Sequence, residues 1–573
     1  MKFTESYWHG QIQKAISWKQ KKSCQSEWKR YEDYYNHKFD NRQLPHFNLI
    51  YMLASSLMPS LVYQNPHIVN TPRRSDYAVW ARFFDGIDNL LVSEAEVKTV
   101  IEDAVLHAFL HNVVGVEVGY DFVPEGKKEF DHVEGSLDRT RKYGQPWIEF
   151  IPARKLLFAP GTKDSRNCWW YAKNVMVNLE TLTGVKGLKN LEPTHIPDEV
   201  KTEGDESIDA LDPDRKYINM WIVHEAETHK WFWISSNGKF VLPPQDDPLQ
   251  LDGLPMEPLV FNKGSDSIWG TPDCAYIESQ QIEGDESRRD GRLQSRGASV
   301  KAFYDTNLLD ENDIARFLTS DALGCIPVEV PADKKLSDVI QLVQPHVQME
   351  RFQYQKELLN DAQLLTGNGP NQLGTFAPGR RTKFETQVVE DRHVLRTGQR
   401  RERIAEVVGR MFTIVNKLII KHWKAPTIAK VIGADAAVYY VQASPAELQN
   451  MNVELCTTVN VESLAPVSRE RRKQEMYEVM NSIAKLAPYL GQVNLFPILQ
   501  SFLSQFDWVD ITKVLPMAQQ QGGPVPIQQF QEQQSQVQTQ PNYMNQLQAN
   551  LANMQGLAQR YPNGGQTQTE GQD

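Results

Sequence analysis

The amino-acid sequence predicts an α+β fold that is mainly helical, and three observations carry that expectation. Residues 382–424 contain no proline; as one helix they would span roughly 60 Å, too long for a single small core. Residues 272–296 read as a further helix, rich in Gln, Glu, Asp and Arg with little apolar face, and 344–365 as a mostly polar one. Elsewhere short segments such as Val116-Glu117-Val118-Gly119-Tyr120-Asp121 alternate as strands do. Long polar helices beside a strand-rich region point to an extended or oligomeric object.

In chain order, residues 10–40 read as helix, with Trp18, Trp28, Tyr31, Tyr34 and Tyr35 among Lys and Arg. That stripe is either a packing face under a solvated basic surface, the simpler reading, or a patch that meets a partner or nucleic acid. Residues 47–62 read as an apolar helix, 67–72 as extended, and 76–114 as two helical segments broken near Ser93. Strands are expected at 116–121, 147–152, 156–161, 217–225, 230–234 and up to Val241, with a turn at Ser235-Ser236-Asn237-Gly238. Residues 188–215, acidic and Pro-rich, read as an inserted surface loop, and 258–272 as extended. A small α/β unit at 298–343 separates the two polar helices. After residue 424 come short strands at 438–442 and 451–461, then helix over 466–515. Beyond Met517 the chain turns to Gln, Pro, Gly and Asn, a low-complexity and mobile tail apart from a candidate helix at 543–559.

Composition narrows the function. The chain has 573 residues, 40% hydrophobic and 23% charged, enough for several domains. Its net charge of −11 and pI near 5.7 argue against a tight, static grip on nucleic acid, which needs phosphate-neutralising cations. Five scattered cysteines, with no C-x-x-C pair, fit neither a zinc site nor a disulfide framework, and suit a reducing origin. The first residues lack a signal peptide's apolar stretch, and no apolar run has membrane-spanning length. His107 and His111 share a helix face, but Ala108 stands where a zinc protease needs Glu. The Gly-rich loop 367–379 lacks the Gly-Lys-Ser/Thr ending of a triphosphate cradle, and no Gly-x-Ser-x-Gly elbow occurs. No enzymatic activity, metal or cofactor is expected.

The long helix has two halves. Arg380, Arg381, Lys383, Arg392, Arg396, Arg400, Arg401 and Arg403 make a basic run offset by Glu385, Glu390, Asp391, Glu402 and Glu406. These cations either pair within and between subunits or meet phosphate. From Ile404, the positions Val407, Val408, Met411, Phe412, Val415, Leu418 and Ile419 keep helical spacing and predict a buried stripe.

The order of these elements resembles the portal protein of tailed bacteriophages, the head-to-tail connector ring at one capsid vertex. The similar pieces are Asn48-Leu49-Ile50 through Pro59 with Asn65-Pro66-His67-Ile68-Val69, and Asp103-Ala104 through Asp121. Trp269-Gly270-Thr271-Pro272 resembles the start of the family's first stem helix. Thr382-Lys383-Phe384-Glu385 resembles its Thr-x-x-Glu after the tunnel loop, with Phe384 where a small residue is usual. Ser463-Leu464-Ala465-Pro466-Val467-Ser468-Arg469 resembles the passage into the crown. The likeness covers residues 10–515.

The resemblance implies a homo-oligomeric ring, a dodecamer in the capsid, with a portal-like fold. The wing would be residues 1–271 together with 381–465, which include the tunnel helix. The stem helices would be 272–297 and 344–365, the clip 298–343 and the tunnel loop 366–380. The crown would be 466–517, and the Gln-rich tail 518–573 would extend it, as a barrel if ordered. Asn368, Asn371, Gln372, Arg380, Arg381 and Lys383 would face the channel. Asp285, Glu286, Arg288, Arg289, Asp290 and Arg292 would pair between subunits on the stem. Implied partners are the large terminase motor, the major capsid and scaffolding proteins, the tail adaptor and double-stranded DNA held transiently, with no membrane. The implied location is the virion, assembled in the host cytoplasm. The alternative is another virion ring, adaptor or minor capsid protein without a DNA channel.

Overall fold

The computed structural model describes residues 3–39, 46–74, 77–193 (apart from 135, 137, 184 and 186), 216–297, 301–304, 312, 335, 340–343, 350–366, 383–424, 427–432, 438–449, 455–460 and 525–530. The helices are α1 (Glu5–Lys22), α2 (Trp28–Tyr35), α3 (Leu49–Leu61), α4 (Ala78–Glu94), α5 (Val97–His111), α6 (Leu179–Leu182), α7 (Asp273–Gly297), α8 (Glu350–Thr366), α9 (Lys383–His422) and α10 (Pro445–Gln449). The strands are β1 (Ile68–Pro72), β2 (Val113–Tyr120), β3 (Pro146–Ile151), β4 (Leu156–Phe158), β5 (Trp170–Asn178), β6 (Tyr217–Glu225), β7 (Lys230–Ser235) and β8 (Phe240–Asp246). They continue with β9 (Met256–Val260), β10 (Lys301–Tyr304), β11 (Ile340–Val343), β12 (Thr427–Ile432), β13 (Val438–Ala443), β14 (Leu455–Val459) and β15 (Val525–Pro526). The chain is mixed α and β with several separate sheets. It divides into two compact units, one of residues 1–25, 58–270 and 394–573, the other of residues 26–57 and 271–393.

The first unit holds the larger sheets. A five-stranded antiparallel sheet runs β4-β5-β6-β7-β8, and a three-stranded one runs β3-β2-β9. Trp8, Ile12, Ala15 and Ile16 lie on one face of α1 and pack on Leu157, Trp170, Ala172, Trp221, Val223, Phe232 and Ile234 of the larger sheet. Each large side chain so buried contributes roughly 1.5–3 kcal/mol. Lys19, one turn further along α1, is also buried; its ammonium donates to the carbonyl oxygens of Ala153 (2.5 Å), Arg154 (3.0 Å) and Leu156 (3.1 Å). The anticipated helix over 10–40 is therefore two helices, because α1 ends at Ser23, whose N–H and hydroxyl both donate to the Lys19 carbonyl. Trp28 and Tyr31 are buried and Trp18, Tyr34 and Tyr35 half-buried, which is the packing reading of that stripe.

Strand β2 begins earlier than its alternation implied. Asn112, at φ 73°, ends α5, and its side chain accepts from the Asn262 N–H and donates to the Asn262 carbonyl. Residues 113 and 114, anticipated as helix, thus open the strand, which is buried along its whole length between β3 and β9. Glu117 alternates in sequence yet is buried, because it meets Tyr171 and Lys173 of β5. Gly119 has no alternative: a Cβ there would lie 2.1 Å from the Trp147 ring. The sequence reading assigned nothing to β5 or β12. It placed residues 525–530 inside a mobile tail, whereas β15 pairs in parallel with β13, Val441 opposite Val525, and Ile527 and Phe530 are buried.

The second half of α9 is rooted in this unit. Ile404, Val408, Met411, Phe412, Val415, Leu418 and Ile419 are buried as anticipated, and Val407 is half-buried. The expected inserted loop lies outside the described residues from 194 to 215, and so do most of the expected 298–343 unit and the whole of 367–380, 466–515 and 543–559.

Candidate functional site: the polar helix pair

In the second unit, α7 and α8 pack on each other, and β10 and β11, which follow α7 and precede α8, pair antiparallel. The 25 residues of α7 present three faces. On the first, Glu278, Gln281, Asp285 and Arg288 recur at three- and four-residue steps and line one side. Gln281 Oε1 accepts the N–H groups of Leu49 (2.7 Å) and Ile50 (3.4 Å), and Asp285 Oδ1 accepts that of Phe47 (2.5 Å). Asn48 adds a local cap, its Oδ1 accepting the Tyr51 N–H at 3.1 Å. The first donors of α3, which no intrahelical carbonyl can reach, are thus taken up by side chains of another helix. Gln281 Nε2 donates to Asp285 Oδ2 at 3.1 Å and orients both groups. Arg288 Nη1 donates to the His46 carbonyl (2.9 Å) while its guanidinium lies 4.7 Å from the Phe47 ring centroid. Gly284 admits that ring, since a Cβ would stand 2.3 Å from Phe47 Cδ1. Glu278 accepts from Arg30 Nε (2.5 Å) and the Tyr31 hydroxyl (3.3 Å).

The second face meets α8. The Tyr354 hydroxyl donates to Glu283, and Gln355 Nε2 donates to Ser287 Oγ at 3.3 Å. Leu358, Ala362 and Gln363 of α8 are buried.

The third face is open in the single chain. Ile282, Glu286, Arg289 and Leu293 follow one another at steps of four, three and four, the spacing of a helix–helix seam. Ile282 is 42% and Leu293 66% exposed, and Glu286 and Arg289 are exposed between them. Of the six stem residues singled out from sequence, Asp285 and Arg288 are therefore engaged inside the chain, holding residues 46–50. Glu286, Arg289 and Asp290 are exposed and Arg292 half-buried. The missed residues are Gln281, a neutral polar group in a charged stretch, and the seam apolars Ile282 and Leu293. Ile282 and Leu293, eleven residues apart in the polar stretch that follows Ile277, were the available signal.

The channel candidates Asn368, Asn371, Gln372, Arg380 and Arg381 lie outside the described residues, and Lys383 is the first residue of α9. Further along, Arg401 Nε donates to the Ser60 carbonyl (2.7 Å), Arg403 to the Val260 and Phe261 carbonyls, and Arg410 to Ser165, Glu257 and Glu406. Arg401 and Arg403 of the basic run, and Arg410 beyond it, thus each direct donors to groups inside the chain.

Among the described residues, Glu117 and its neighbours form a buried polar cluster. Tyr171 donates to Glu117 Oε1 (2.7 Å), Lys173 pairs with Oε2, and His224 stacks on Tyr171 while its Nδ1 lies 3.1 Å from Asp247. Burial alone would raise the Glu117 carboxyl, but Lys173, His224 and the two hydrogen bonds outweigh it and hold the group below the usual carboxylate range. These groups satisfy one another across two sheets. His107 and His111 approach at 3.4 Å, and among the described residues no three His, Cys, Asp or Glu side chains could hold a metal. Among the described residues no helix is long and apolar enough to cross a membrane.

A scan against protein-family models matches none, and a search of curated proteins finds no match.

Proposed function

We propose that this chain is the subunit of a portal-like ring, a channel at one capsid vertex through which double-stranded DNA is packaged and ejected. The observation that carries the reading is the open seam of α7, set in the order polar helix, paired strands, polar return helix, long helix. A helix that spends one face on its own chain and one on α8, yet keeps Ile282 and Leu293 in water, is suited to a neighbouring copy. Glu286 and Arg289 between those apolar side chains supply opposite charges for register. In a ring every copy offers one such seam and receives one, so a heterologous contact closes without leftover surface.

The acidic composition supports the same reading. A channel wall must let a polyanion slide, and net negative charge disfavours static phosphate contacts. Asn368, Asn371, Gln372, Arg380, Arg381 and Lys383 are the proposed channel-facing group, residues 298–343 the docking point for the terminase motor and later the tail adaptor, and the wing the contact with major capsid and scaffolding proteins.

Electron microscopy of the purified protein tests the proposal. Closed rings with a hole wide enough for a DNA duplex are expected. Rings without such a hole would favour a different virion adaptor, and a monomer at all concentrations would remove the reading.

A further inference from the structure

A cleft of about 130 Å³ opens in the first unit between the turn Ser165–Asn167, the end of β9 and the rooted part of α9. Its lining carries the cations Lys163, Arg166, Lys263, Arg403 and Arg410 against the acids Asp164 and Glu406. On a chain of net charge −11 this is a local reversal of sign. Two of the cations are held in place. Arg403 Nη1 donates to the Val260 carbonyl at 3.2 Å and to that of Phe261. Arg410 Nη1 lies 3.0 Å from Ser165 Oγ and 3.4 Å from Glu257 Oε2. Arg410 also pairs through Nη2 with Glu406, and burial raises the Glu257 carboxyl despite Arg410 beside it. Lys163 and Lys263 are exposed, the Lys163 charge also acting on Asp266, and Arg166 lies 3.9 Å from Asp164.

Charge selects the ligand. The cleft has room for a tetrahedral oxyanion beside its cationic lining. Held guanidinium donors beside exposed ammonium groups match the many acceptor oxygens of phosphate better than the two of a carboxylate. We propose that this cleft binds a single phosphate group, either free inorganic phosphate or one phosphodiester of a nucleic-acid backbone. The site does not depend on the ring reading, because every residue in it belongs to one unit of one chain.

The test uses the full-length protein and the variant Lys163→Glu/Lys263→Glu, whose changes lie at exposed side-chain ends and whose folding is checked by circular dichroism. Sodium phosphate, compared with sodium chloride at equal ionic strength, should raise the Tm of the wild type. The variant should lose that rise and bind phosphate at least tenfold more weakly, while Lys163→Arg/Lys263→Arg keeps it. If the source is a nucleic-acid backbone, a short duplex followed by fluorescence anisotropy will bind. Its log–log salt slope should fall by about 0.9 in the Glu variant, the loss of one neutralised phosphate. A phosphate response without duplex binding assigns the site to free phosphate. No response of the wild type to either probe, or equal responses of wild type and Glu variant, would overturn the proposal.

Discussion

At the scale of single residues, two buried ionisable groups set sharp expectations. Asp88 on α4 is fully buried, its Oδ2 accepting from Asn70 (2.7 Å) and Asn416 (3.1 Å), and Thr457 closes the knot by donating to Asn70 at 2.7 Å. Four elements, α4, β1, α9 and β14, meet at this carboxyl. Burial pushes it up to about 7, against the two amide hydrogen bonds and with Asp85 adding to the rise. A carboxyl whose folded pKa lies above its unfolded value favours the folded state most at low pH. Stability should therefore fall as pH rises from about 4 to about 7, by roughly 4 kcal/mol at most, and then level off. Asp88→Asn should flatten that dependence, measured by denaturant melts between pH 4 and 8; an unchanged slope would acquit this residue. Lys19 poses the opposite problem. Burial, and then the Arg154 charge, push its pKa down to about 7, while three carbonyl oxygens match the three protons of the ammonium form. Lys19→Met keeps the apolar stem and strands the three carbonyls, so a loss of roughly 2–4 kcal/mol is expected in the same melts. Neither residue was legible in sequence: Asp88 sits in an ordinary helical run, and nothing local distinguishes Lys19 from the exposed Lys21 and Lys22 that follow it.

At the scale of elements, α7 is the clearest case of partial legibility. Its position and polarity follow from composition, and the helix begins and ends within a residue of expectation. Which polar residues face inward depends on where residues 46–50 come to lie, a contact more than 230 residues distant in the chain. The seam carries a direct prediction. Ile282→Asp/Leu293→Asp should leave the monomer's Tm within about 1 °C, since both side chains are already exposed, while abolishing assembly in sedimentation velocity runs. Assembly equal to wild type would remove the seam from the interface. The segment 525–530 behaves differently. Its Gln-rich surroundings hide a short apolar pattern, Val525, Ile527 and Phe530, that becomes readable only once β13 offers an edge. Ile527→Asp/Phe530→Asp should release it, seen as faster limited proteolysis after residue 460 with the preceding domain intact.

At the scale of the whole molecule, removal of residues 298–343 should leave a folded chain that cannot support motor-dependent DNA packaging. Packaging at the wild-type level would contradict the docking assignment. By itself, the sequence determined much of the alternation of helix and strand, though not β5, β12 or β15, along with the long α9 with its apolar second half and the polar character of α7 and α8. These follow from periodicity, proline placement and composition, which act within a few turns or a single strand. Only the tertiary structure decided that Glu117 is buried, that Asp285 and Arg288 serve their own chain, and that Ile282 and Leu293 are left in water. Those outcomes depend on which distant backbone donors and carbonyls come within hydrogen-bonding reach of a side chain. The same holds for the cationic cleft, whose residues lie in three separate stretches, 163–166, 258–268 and 403–410, and share one site only because β9 and α9 converge on the turn at Ser165.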